Sequence, residues 1–174
     1  MTPGRRELLI LGAVAGAAAL AGGAAGVLAL QSRSGAAELL SSSYPDLSGR
    51  PRRLLEWQGR PLVCNFWASW CAPCREELPI LDALQRDMAP NVVQVVGIAV
   101  DTAANVQDFL KDVKVGFPVL IAGASAIELM RRLTNRSGAL PFTVMLDAAG
   151  RLRERRLGAY SADELRAGVQ RLLR

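Results

Sequence analysis

The stretch LVCNFWASWCAPCREELP, Leu62 to Pro79, limits the possible folds more than any other part of this chain. Leu62 to Trp67 is a short apolar run rich in strand formers, with the length and bracketing of a strand buried on both faces. A helical pattern follows at once. Leu78, Leu81, Leu84 and Met88 recur at helical spacing, which predicts a helix from about Ala72 to Met88, kinked at Pro79. Two cysteines, Cys71 and Cys74, sit at the junction of the two elements.

The same alternation continues downstream. Asn91 to Val100 reads as a second buried strand and Asp101 to Val113 as a helix with Val106, Phe109, Leu110 and Val113 on one face. FPVLIA is a third strand. SAIELMRRL is a helix opened by Ser125, with Glu128 three residues on in a capping-box pattern. PFTVMLD and RLRERRL form a hairpin around Ala148, Ala149 and Gly150. A final helix opens on a second capping box, Ser161 with Glu164, and buries Leu165, Val169, Leu172 and Leu173. Strands that alternate with helices specify an α/β sheet covered on both faces, here with an antiparallel edge.

Upstream, Leu8 to Leu30 holds 23 residues without a charge, long enough at a helical rise to cross ~30 Å of hydrocarbon. Arg5 and Arg6 precede it and place the N-terminus on the cytoplasmic side. An uncleaved single-pass anchor is the first reading and a cleaved export signal the second. Both put the cysteines in an oxidising compartment. Residues 1–30 are therefore expected as anchor or signal, 31–45 as a small polar tether, and 46–174 as the folded domain, with Gly49, Arg50 and Pro51 turning the chain at its entrance. The net charge of +5 comes almost wholly from arginine. Those arginines are scattered apart from Arg151, Arg153, Arg155 and Arg156, and aromatics able to stack bases are few, so no nucleic-acid partner is expected.

The chain has three cysteines and no histidine. Histidine-based catalysis and histidine metal ligands are thereby excluded. A closed zinc site would need two ligands beyond Cys71 and Cys74, and no spacing supplies them, so neither metal nor cofactor is expected. A purely structural disulfide over so short a loop would constrain the unfolded chain little. A working redox pair fits better. Cys71 at a helix N-terminus meets free N–H groups and a partial positive charge, which stabilise its thiolate. Pro73 is tolerated in the first turn. Cys71 is then the exposed, attacking sulfur and Cys74 the resolving one. Cys64 reads as a buried, inert thiol.

VCNFWASWCAPCREELP resembles the active-site region of the thioredoxin superfamily, and more narrowly the membrane-anchored TlpA/ResA/CcmG-like thiol-disulfide oxidoreductases. The Trp-Cys-x-Pro-Cys core from Trp70 to Cys74 is the specific part, supported by Pro79 and by GALPFTVMLDAAGRL, Gly138 to Leu152, which resembles the family's cis-proline strand and hairpin. The likeness runs from about Asp46 to the C-terminus. It implies a thioredoxin-like fold: a central mixed sheet flanked by helices, with an inserted helix and strand between Val100 and Ala122. It also implies a cis Pro141 facing the cysteine pair, and Leu140 offering backbone hydrogen bonds to a substrate chain. Trp70 would shield the pair while Trp67 joins the core.

Asn65 stands where thioredoxin has a buried aspartate and cannot take a proton. Glu77, on the helical face of Cys74, is the candidate proton acceptor, and Glu76 a surface charge. The resemblance implies protein disulfide substrates, an inner-membrane thiol electron donor, and a reductive role in cytochrome c or cytochrome oxidase maturation. It also implies a catalytic domain in the periplasm, tethered to the bacterial inner membrane. A thiol peroxidase of the same fold and a non-enzymatic metal carrier are the alternatives.

Overall fold

The computed structural model describes residues 35–88 and 92–174. Its centre is a five-stranded sheet in the order β5-β4-β3-β6-β7. Strand β3 (Leu62–Trp67) occupies the middle, and every one of its residues is buried. It pairs in parallel with β4 (Gln94–Ala99), and β4 in turn with β5 (Val119–Ile121). Parallel neighbours require crossovers, and helices supply them: α2 (Ala72–Asp87) joins β3 to β4, and α3 (Ala103–Asp112) joins β4 to β5. On the other side, β6 (Phe142–Leu146) runs antiparallel to β3 and hairpins into β7 (Leu152–Leu157) at the sheet's edge. Gly150 makes that hairpin possible: its φ is +78°, and an added Cβ would lie 2.5 Å from a Leu40 methyl.

Alternation along β3 divides the core in two. Leu62, Cys64 and Phe66 face one apolar cluster, capped by a helix over residues 35–41 (α1) and by α4 (Ala126–Arg132). Val63 and Trp67 face the other, where α2, α3 and α5 (Ala162–Leu172) pack and where Cys71 and Cys74 lie. Gly97 of β4 permits a close approach on this second face. A Cβ there would meet both the Trp67 indole nitrogen and the Phe117 ring at 3.0 Å. Trp67 packs in turn against Phe109 of α3, with ring centroids 5.7 Å apart.

Most expected elements are present, with informative differences. Residues 35–45 of the segment expected as tether are part of the folded domain. Ala36, Leu39 and Leu40 of α1 are buried in the first cluster, and Glu38 bonds Arg132 of α4 at 2.8 Å. Residues Ser43–Pro45 then form β1, which pairs with β2 (Pro51–Arg53) across the turn at Gly49. Two short apolar steps in a polar stretch were enough to bury one helical face. The Ser125–Glu128 capping box does not form. A 3-10 turn (Gly123–Ser125) starts the helix early, so Ser125 already has helical dihedrals and its hydroxyl donates back to the Ala122 carbonyl. The Ser161–Glu164 box does form. Leu173 lies beyond the end of α5 and stays exposed, unlike Leu165, Val169 and Leu172. The apolar stretch Leu8–Leu30 lies outside the described residues, among which no helix is long and apolar enough to cross a membrane.

Candidate active site

Strand β3 ends at Trp67, and four residues later Cys71 caps α2. Its backbone is extended (φ −89°, ψ 103°), and its carbonyl accepts the first helical bond, from Arg75 N–H at 3.1 Å. Ala72 and Pro73 fill the next two positions, where a missing N–H leaves no helical acceptor unpaired. Cys74 lies one turn in. The two sulfurs are bonded at 2.05 Å. Cys71 thus sits where the helix presents its unpaired N–H groups and positive end, the placement that favours a thiolate once the bond is reduced.

Exposure differs from expectation at two residues. Cys71, expected to be exposed, is only 6 % exposed, against 1 % for Cys74. It belongs to the apolar cluster on this face of the sheet, against which Leu140 also packs. Trp70, expected as a shield, is 67 % exposed and presents an open aromatic face beside the pair. The Leu140–Pro141 bond is cis, the form the resemblance implied. Pro141 is buried just before β6. The pairing of Phe142 with Phe66 puts that end of β6 beside the end of β3 from which the cysteine turn departs.

Behind the cysteines runs a line of buried polar groups. Asn65 Nδ2 donates to Glu77 Oε2 and to Thr143 Oγ1, both at 2.9 Å, and Tyr160 N–H donates to Glu77 Oε1 at 2.8 Å. Glu77 is 1 % exposed. Burial pushes its carboxyl above the usual carboxylate range, and the bonds from Tyr160 and Asn65 only partly offset this. Asn65 Oδ1 is buried without a partner. Glu76, by contrast, is exposed. The sequence reading brought Asn65 and Glu77 forward but missed Thr143 and Tyr160. Thr143 becomes visible only once the β3–β6 register sets it opposite Asn65.

Asp101 was also missed, having been read as the first residue of a helix. Its Oδ2 accepts from Ser69 N–H (3.0 Å) and Ser69 Oγ (2.6 Å), and its Oδ1 from Thr102 N–H (2.7 Å) and Asn105 Nδ2 (2.8 Å). Burial opposes its charge, yet these bonds together hold it below the usual carboxylate range. Asp101 thereby clamps the turn that presents Cys71. The available signal was an acidic residue just past the carboxyl end of a parallel strand, where α/β proteins gather their functional groups.

Cys64 is wholly buried on the opposite face, and burial pushes its thiol up to about 12. It has no part in the site.

The fold and the paired cysteines define a thioredoxin-like thiol-disulfide oxidoreductase. The sequence profile of the AhpC/TSA family matches residues 37–155, and the chain belongs to that family. It is 28% identical to the thiol-disulfide oxidoreductase ResA of Bacillus cereus over 128 residues, 73% of this chain and 72% of that one. Among solved structures it is similar to a thioredoxin-family thiol:disulfide interchange protein from Chlorobium tepidum (TM-score 0.67, 26% identity, 76% of this chain and 93% of that one). It is also similar to a secreted Mycobacterium tuberculosis disulfide oxidoreductase homologous to DsbE of E. coli (TM-score 0.64, 29% identity, 78% of this chain and 98% of that one).

Proposed function

We propose that the chain is a membrane-anchored, periplasm-facing reductase of protein disulfides. The observation that carries the disulfide exchange is the Cys71–Cys74 disulfide at the N-terminal end of α2, with buried Glu77 one turn beyond; the anchor and the periplasmic facing rest on the uncharged stretch Leu8–Leu30 and on Arg5 and Arg6 before it. In the reduced protein the Cys71 thiolate attacks one sulfur of a client disulfide. The client S–S bond breaks, a mixed disulfide forms at Cys71, and the client's other sulfur leaves as a thiolate that takes a proton from water. Cys74 gives its proton to Glu77 and attacks Cys71 Sγ. The mixed bond breaks, the second client sulfur leaves as a thiolate that takes a proton from water, Glu77 returns its proton to solvent, and the Cys71–Cys74 disulfide remains. A thiol donor at the inner membrane then reduces that disulfide and restores the cycle.

The exposed Trp70 and the partly buried Leu140 before the cis proline are the surface on which an extended client segment would lie, with Leu140 offering backbone bonds. The reductive direction and a client in cytochrome c or oxidase maturation rest on the resemblance of the motif. The Cys-x-x-Cys motif, with Ser69 where a thiol peroxidase would want a threonine before its reactive cysteine, favours dithiol exchange over peroxidase chemistry.

Trapping in cells tests the proposal. A Cys74→Ala variant should accumulate mixed disulfides with client proteins through Cys71, and Cys71→Ala should not. Equal trapping by both would overturn the roles assigned. A reduction potential near that of cytosolic thioredoxin supports a reductase, and one strongly positive of it makes the protein an oxidant.

A further inference from the structure

Among the described residues strand β7 is an edge of the main sheet, and its exposed charged side chains are all basic. Arg151 precedes it, and Arg153, Arg155 and Leu157 follow at alternate positions, all exposed. Beside them lies a groove of about 940 Å³, walled on one side by Ala36, Ala37 and Leu40 of α1 and on the other by Gly150 to Arg155. Two acidic groups border it. Asp147 bonds Arg151 at 2.8 Å and lies 4.0 Å from Arg153, while Glu154 is held by Arg171 and the Tyr160 hydroxyl. An edge strand needs charge to discourage pairing with another edge, and charge of either sign would serve. Here all the exposed charges on the strand are positive.

Their position is the second observation. The apolar stretch ends at Leu30, and α1 is already packed against α4 at Gly35, where an added Cβ would lie 3.0 Å from the Arg132 carbonyl. Four intervening residues cannot hold Gly35 more than about 20 Å from the end of that stretch. If residues 8–30 anchor the chain, the α1 face of the domain is tied close to the bilayer, and the arginines border that same helix.

We infer that the α1–β7 face of the domain docks on an anionic phospholipid surface through Arg151, Arg153 and Arg155. This rests on the anchor reading above. Phosphate oxygens of the headgroups accept from the guanidinium groups. The attraction acts within a Debye length of about 8 Å at physiological salt, and the short connection keeps Gly35 within about 20 Å of the end of the apolar stretch, from where docking brings the arginines into that range. Cys71 and Cys74 belong to the cluster on the other side of the sheet, so docking on this face leaves the N-terminal end of α2 open to clients and donor.

Arginine-selective labelling with phenylglyoxal, read by mass spectrometry, tests this on the full chain in lipid nanodiscs. One disc is wholly zwitterionic phosphatidylcholine and the other contains 30% phosphatidylglycerol. Labelling of Arg151, Arg153 and Arg155 should fall about fivefold or more in the anionic discs, the factor expected of one arginine at such a surface, and should recover in 1 M salt. Arg86 and Arg166, on α2 and α5 across the sheet, should label equally in both. Equal labelling of the three arginines in both discs overturns the inference. So does protection that is the same in neutral discs and grows with protein concentration, which assigns the edge to a second copy of the chain. Failure of the full chain to co-purify with neutral discs overturns the anchor reading instead, and with it this placement.

Discussion

Alternate residues of one strand, β3, point into two different kinds of core. Leu62, Cys64 and Phe66 enter a cluster in which every buried side chain of the strand is apolar or inert. Val63, Asn65 and Trp67 enter one that carries the disulfide and a chain of buried polar groups from Thr143 through Asn65 and Glu77 to Tyr160. The backbone and its degree of burial are the same on both faces. The first face gains stability from packed volume alone. The second spends some of that stability on a carboxyl whose charge is disfavoured and an Asn65 oxygen left without a partner. Cysteine shows the contrast most directly, because Cys64 is pushed up to about 12 while Cys71 sits at the positive end of a helix.

Substitutions should therefore separate the faces. The largest effect on chemistry comes from Cys71→Ser, which should reduce turnover of a disulfide client to background while barely moving the urea midpoint of the reduced protein. Phe66→Ala should do the reverse. A cavity on the apolar face costs about 3–5 kcal/mol in equilibrium unfolding, with turnover per folded molecule unchanged. Asp101→Ala should affect both, since it removes four hydrogen bonds and frees the Ser69 turn before Cys71. A loss of about 2–3 kcal/mol together with slower client reduction is the expected result.

Glu77→Gln gives a smaller, pH-dependent effect. Folding raises the Glu77 pKa, so wild-type stability falls as pH climbs from the ordinary carboxylate value through the raised one, and the glutamine variant lacks this loss. The stability of the variant relative to wild type should be flat at low pH and then increase, by about 1.4 kcal/mol per unit that Glu77 is raised. Asn65 Nδ2 can still donate to the glutamine carbonyl oxygen, or the Asn65 amide can turn so that Oδ1 accepts from the new amide. Resolution of the mixed disulfide should slow in the same variant at neutral pH. The smallest effect is Cys64→Ala, about 1 kcal/mol for a methyl-sized void, with no change in turnover.

Much of this division was legible beforehand. The apolar run of β3, the helix after it and the cysteine spacing located the site, because they depend on local pattern. Cys71 at the helix tip followed from helical geometry, and Glu77, one turn past Cys74, from the family resemblance together with that geometry. Thr143, Tyr160 and Asp101 did not, because each acquires its role through a contact distant in sequence: a cross-strand register, a backbone N–H donated from the α5 approach, and a bond across two βα turns. Helix α1 was missed because its apolar face is only a few residues long and is recognisable only once α4 and the sheet exist to receive it.

The most direct test of the account compares the thiols of one reduced molecule. Alkylation by iodoacetamide, followed residue by residue across pH, should give Cys71 a midpoint clearly below the ~8.5 of an ordinary thiol. Cys64 should stay unmodified until the chain unfolds. A Cys71 midpoint at or above the ordinary value would contradict the claim that the tip of α2 makes this sulfur the nucleophile.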